Sequence, residues 1–68
     1  MSEKTYKAII DQYGKHFRMT KLYDNGIIML KFEDSSKIMW FKQLMLEKFG
    51  YMVKDCTVGR TYWFEPLD

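Results

Sequence analysis

His16 and Cys56 are the one imidazole and the one thiol in 68 residues, and they are the only nucleophile and base pair that the composition offers. Their plainer reading is a solvent-side His at the start of a strand and a small half-buried thiol. Acidic residues are spread singly apart from Glu33-Asp34. Neighbours in a strand point to opposite faces, so these two read as a strand end and a helix cap before they read as a metal site. No Gly-rich phosphate loop and no spaced set of metal ligands occurs in the sequence. Catalysis is therefore not expected, and neither a cofactor nor a small-molecule substrate is.

Binding chemistry is better supplied. Aromatic residues make up 18%, with five Tyr, five Phe and two Trp beside six Met, so bulky side chains exist for a core with some left for a surface. The 11 basic and 9 acidic residues alternate along the chain, and only Arg18 and Arg60 of the basic set are Arg. Arg is the better fork for phosphate and guanine, so its scarcity weakens a sequence-specific DNA reading. A lone Cys closes no intramolecular disulfide, and MSEKTYK lacks the apolar stretch of a secretory signal. A cytoplasmic, reducing setting is the expectation. No apolar run exceeds the four residues of IIML at 27–30, far below the roughly 20 residues of a membrane span, so no membrane is expected to be crossed.

Hydrophobic residues at 47% and charged residues at 29% describe an ordinary soluble globular chain of one domain, residues 1–68. Tyr6, Ile9, Ile10 and Tyr13 recur at helical spacing between Ser2, an N-cap candidate, and Gly14, a stop, which predicts a helix over 3–13. Asn25-Gly26 between two β-prone runs predicts a hairpin over 17–33 closed by a two-residue type I′ turn. That register pairs Tyr23 with Ile28, Lys21 with Leu30 and Met19 with Phe32 on an apolar face. Leu22 with Met29, Thr20 with Lys31 and Arg18 with Glu33 then share the other face.

Asp34, Ser35 and Ser36 offer capping oxygens and Gly50 ends the apolar run, so a second helix is expected over 36–49 with Ile38, Phe41, Met45 and Phe49 toward the sheet. A second hairpin over 51–65 follows, turning near Val58-Gly59, pairing Val53 with Phe64 and Lys54 with Trp63, and closed by Pro66. The fold class is α+β: a two-layer α/β sandwich in which a short N-terminal helix precedes ββαββ with one antiparallel sheet. The strand, helix, strand cadence of FEDSSKIMWFKQLMLEKFGYMV invites comparison with RNA-recognition domains. It lacks their aromatic motif and the chain is too short, so no family is assigned.

Two surfaces stand out as binding candidates. At about 100° per residue, Trp40 and Leu44 point away from the Ile38, Met45 and Phe49 direction. This second patch must be covered by the first helix, by a second copy in a homodimer, or by a partner protein anchored on Trp40. The open sheet face would carry Leu22 and Met29 as further protein contacts. The same face would carry Arg18, Lys31, Lys54 and Trp63, a minimal stacking and phosphate-tracking set for single-stranded or structured nucleic acid. The leading expectation is a non-enzymatic interaction module that regulates or inhibits a larger protein and self-associates. A nucleic-acid binder is the alternative. The Lys-over-Arg bias with many Ile, Tyr, Phe and Met is that of an AT-rich coding genome, and small accessory domains of this kind are often encoded by phages or mobile elements.

Overall fold

The structure, a computed structural model, describes residues 2–56 and 59–67. Helix α1 (Ser2–Tyr13) leads through a 3-10 turn at Gly14–His16 into strand β1 (Phe17–Leu22), and β2 (Ile28–Phe32) returns beside it. A 3-10 turn at Ser35–Lys37, helix α2 (Ile38–Leu44) and a π-helical turn at Met45–Phe49 form one continuous second helix. Strands β3 (Tyr51–Cys56) and β4 (Thr61–Pro66) complete an antiparallel sheet in the order β1-β2-β4-β3. The expected α+β class and element order are thus present, with the second hairpin inserted so that β4 lies at the centre.

Local chemistry accounts for the helix ends. The Asp34 carboxylate accepts the Ser36 N–H at 3.0 Å and caps the second helix, and Gly50 ends it in the left-handed region at φ 71°. Helix α1 begins by Ser2, and the cap expected of the Ser2 side chain lies outside what the structure describes. The α-helix ends at Tyr13 as expected, but Gly14 keeps a negative φ and opens a 3-10 turn, so the end is made by tightening and not by a left-handed glycine.

The Ser36 backbone N–H, followed by the Ser36 side chain, holds the Asp34 carboxyl below its ordinary value; slight desolvation opposes this, and Lys37 and Arg60 reinforce it. A depressed folded pKa stabilises the fold above the unfolded value near 3.9, and that contribution disappears as pH falls through the folded value. Urea midpoints measured between about pH 5 and 2 should therefore fall on acidification, and less steeply in Asp34→Asn, which keeps the cap but not the titration.

The first hairpin departs from its expected register by one residue. Leu22 pairs with Ile28, Lys21 with Met29, Thr20 with Leu30 and Met19 with Lys31. Tyr23 donates to the Ile27 carbonyl at 2.8 Å and Gly26 donates to the Tyr23 carbonyl at 3.0 Å. The loop is therefore Asp24-Asn25-Gly26, a type I turn followed by a glycine at φ 88°, and among the described residues no non-glycine has positive φ. The faces of β2 stand as expected, with Ile28, Leu30 and Phe32 buried. Those of β1 are exchanged: Leu22 and Thr20 turn to the helices, and Met19 and Lys21 to the open side.

Both outer strands carry a bulge with a basic residue. Arg18 is the extra residue between Phe17, opposite Phe32, and Met19, opposite Lys31. Lys54 is the extra residue between Val53, opposite Phe64, and Asp55, opposite Trp63. The expected Val53/Phe64 pair is present, whereas Trp63 faces Asp55 in place of Lys54. Cys56 pairs with Tyr62, and the Val58 half of the expected turn lies outside the described residues. Bulges and cations at an edge twist it and burden it with charge, which discourages pairing with another strand.

The core lies between the sheet and the two helices. Ile9, Ile28, Leu30, Phe32, Ile38, Phe41, Met45, Tyr51 and Phe64 are buried, so the expected stripe Ile38, Phe41 and Met45 does face the sheet. Phe49, the last member, is half-buried and meets the Tyr13 ring edge-on at 6.5 Å. The bulge at Arg18 turns Phe17 inward, where its ring lies 5.4 Å from Phe32 and 5.1 Å from Phe41. Helix α1 covers β1 through Ile9, while the Tyr6 and Thr20 hydroxyls share a 2.8 Å hydrogen bond.

Candidate functional site

The second helix shows an apolar outer surface on both sides of Gln43. Met39 is 79% exposed, Trp40 49% and Leu46 38%, and Met52 of β3 is 50% exposed. Met39 and Leu46 lie seven residues apart, two helical turns on one side, and with Met52 they line a groove of about 290 Å³. Trp40 and Leu44 line a second groove of about 290 Å³ on the other side of Gln43. Lys42 borders the first groove and Lys48 the second, and the Glu47 carboxylate is engaged by the Gln43 amide.

The first helix covers only part of Trp40. Tyr13 meets the indole edge-on at 6.2 Å, His16 does so at 6.0 Å, and Lys48 reaches back to the Tyr13 hydroxyl at 3.0 Å. Tyr6 and Ile9 instead descend to the sheet. Half of the indole remains open, with Leu44 half-buried beside it. Met39, the most exposed large apolar side chain among the described residues, was not distinguished by the sequence. Its signal is the i, i+7 match with Leu46, which is visible only once the core stripe has claimed Ile38 and Phe41.

The open sheet face is a grid ordered by the strand pairing. One row runs Lys21, Met29, Trp63, Asp55 across the four strands. Lys31 and Thr61 follow on one side, and Glu65 and Met52 on the other. Met29 is only 9% exposed between its neighbours. The Trp63 indole N–H donates to the Tyr23 hydroxyl at 3.3 Å, and the Lys21 ammonium lies 4.8 Å from the Tyr23 ring centroid. A hollow of about 260 Å³ opens between Ile27, Lys54, Asp55 and Trp63.

Several expected groupings come apart. Leu22 is not on this face; it packs against the core cluster because the three-residue loop shifts β1 by one. Arg18 and Lys54 stand in bulges on opposite edge strands that lie about 14 Å apart, and at different heights along them, and Arg18 is paired with Glu33 at 3.2 Å. Lys31 and Trp63 do share the open face as diagonal neighbours on adjacent strands, Lys31 opposite Thr61 and Trp63 opposite Met29. His16 belongs to the turn before β1, and Cys56 to β3 at the other edge, so the sheet order separates the imidazole from the thiol-bearing strand. Among the described residues no three His, Cys, Asp or Glu side chains come together at a metal-binding distance, and no helix is long and apolar enough to cross a membrane. Against family models, curated proteins and solved structures, the chain finds no match.

Proposed function

We propose that the chain is a non-enzymatic interaction module that acts in the cytoplasm by docking on a larger protein through the outer surface of its second helix. The observation that carries this reading is the exposure of Met39, Trp40 and Leu46 on one short helix, flanked by two grooves. A helix apolar beyond its core stripe gains stability when another molecule covers the excess, and Trp and Met are favoured anchors for such contacts. Lys42 and Lys48 border the grooves, which suits a partner segment with apolar side chains flanked by carboxylates.

A photo-crosslinking side chain placed at Met39, and in parallel at the exposed Lys7, tests this in cells that make the protein. A single protein adduct at position 39, absent at position 7 and lost on Leu46→Glu, is the expected result. Equal adducts at both positions, an adduct insensitive to Leu46→Glu, or an adduct with the mass of two copies of the chain would overturn it. Nucleic acid remains the second reading, supported by Trp63 with Lys31 diagonal to it and Lys21 joined to it through Tyr23; Asp55 and Glu65 on the same face oppose a polyanion.

A further inference from the structure

The open face of the sheet is dipolar. Lys21 and Lys31 stand on the β1 and β2 half, whereas Glu65 and Asp55 stand on the β4 and β3 half, where Lys54 of the bulge is the one described base. Met29, Trp63 and Ile27 provide apolar surface between them. The hydrogen bond from Trp63 to Tyr23 holds the indole in place, so little ordering is needed before contact. Neither helix covers this face, and the bulges at Arg18 and Lys54 disfavour growth of the sheet at its edges.

We propose that this face packs against the same face of a second copy of the chain, about a two-fold axis parallel to the strands. Sheets that pack face to face lie about 10 Å apart with their strands nearly aligned. An axis along the strands lays β1 over the other copy's β3 and β2 over its β4. Lys21 of each copy then meets Asp55 of the other, and Met29 meets Trp63. An axis across the strands would lay β1 over β1 and β3 over β3, setting Lys21 against Lys21 and Asp55 against Asp55. Like charges in register are repelled, so the charge pattern selects the first arrangement. Such an interface is isologous and closes at two copies. The second helix is left free, so the dimer and the docking proposed above can coexist.

Sedimentation of the full chain from about 1 to 500 μM reads the equilibrium in the concentration range where weak interfaces dissociate. The wild type should pass from monomer to dimer, and Lys21→Glu or Asp55→Lys should each weaken the dimer by about tenfold or more. Each variant alone sets like charges together at two places, whereas an equimolar mixture of the two restores both pairs, so the mixture should associate like the wild type. Circular dichroism confirms folding, and Asp55→Asn, which removes the pair without adding a like charge, replaces Asp55→Lys where the latter does not fold; it should weaken the dimer alone and gain nothing from mixing with Lys21→Glu. Leu46→Glu should leave the dimer unchanged, which separates this proposal from the docking of a partner on the second helix. A wild type that stays monomeric throughout, a mixture of the two charge reversals no stronger than its components, or a dimer broken by Leu46→Glu alone would overturn it. So would quenching of Trp63 by a thymidine oligonucleotide that competes with dimer formation, which would assign the face to single-stranded nucleic acid.

Discussion

Phe41→Ala is expected to remove about 3 to 5 kcal/mol of stability, the usual cost of deleting a fully buried phenyl ring. Phe41 has no exposed surface, and its ring meets Phe17 at 5.1 Å, Tyr13 at 5.3 Å, Phe32 at 5.5 Å and Trp40 at 5.7 Å. It is the residue through which the second helix, the first helix and the sheet are all in contact. Domains of this length are stable by roughly 3 to 10 kcal/mol, so the variant should lose most of its margin and show a shallow or absent urea transition. Met39→Ala on the same helix should move the midpoint little, because Met39 is mostly in solvent. Similar midpoints for the two variants would mean that the second helix does not clamp the core through Phe41.

The parts of this fold that were legible in the sequence are those fixed by short-range chemistry. Asp34 caps a helix wherever the fold places it, Gly50 accepts a left-handed φ without a side chain, and the spacing of Ile38, Phe41 and Met45 marks one helical face. The alternation in β2 is equally readable, because Ile28, Leu30 and Phe32 fall on one side of the strand, and that side is the buried one. What escaped depends on position in the assembled sheet. Bulges at Arg18 and Lys54 belong to edge strands, and nothing local to FRMTKL or YMVKDC shows that these strands form the edges. Their effect is large, since one extra residue reverses the facing of everything beyond it. Phe17 and Met19, two apart in sequence, consequently look to opposite sides, and so do Val53 and Asp55.

The same dependence governs the candidate surfaces. Trp40 was visible as surplus to the core stripe, but how much of it Tyr13 and His16 would cover is a matter of helix packing. A register that counts two loop residues puts Leu22 on the open face, and the three residues present put it on the core side. The dipolar pattern of the open face required the strand order, because Lys21 and Asp55 are far apart in sequence and share a row only when β2 and β4 lie between them.

Gly26→Val is expected to cost about 1 to 3 kcal/mol, whereas Asn25→Ala should cost about 0.5 to 1. The two values separate the loop that is present from the two-residue turn that the Asn-Gly pair suggests. In a type I′ turn both central residues take positive φ, so both substitutions would be strained. Here only Gly26 does, at φ 88°, while Asn25 contributes a side-chain oxygen that accepts the Ile27 N–H at 3.1 Å. Gly26 is also buried, and its carbonyl accepts the Tyr51 hydroxyl at 3.3 Å, which ties the loop to the start of β3. A β-branched side chain must therefore adopt a disfavoured backbone angle and find room beside a phenol at once. Urea midpoints of the two variants measure the difference directly. Equal losses at positions 25 and 26 would restore the two-residue turn. Leu22 would then return to the open face with Met29, and Lys21 would leave the row on which the proposed dimer depends.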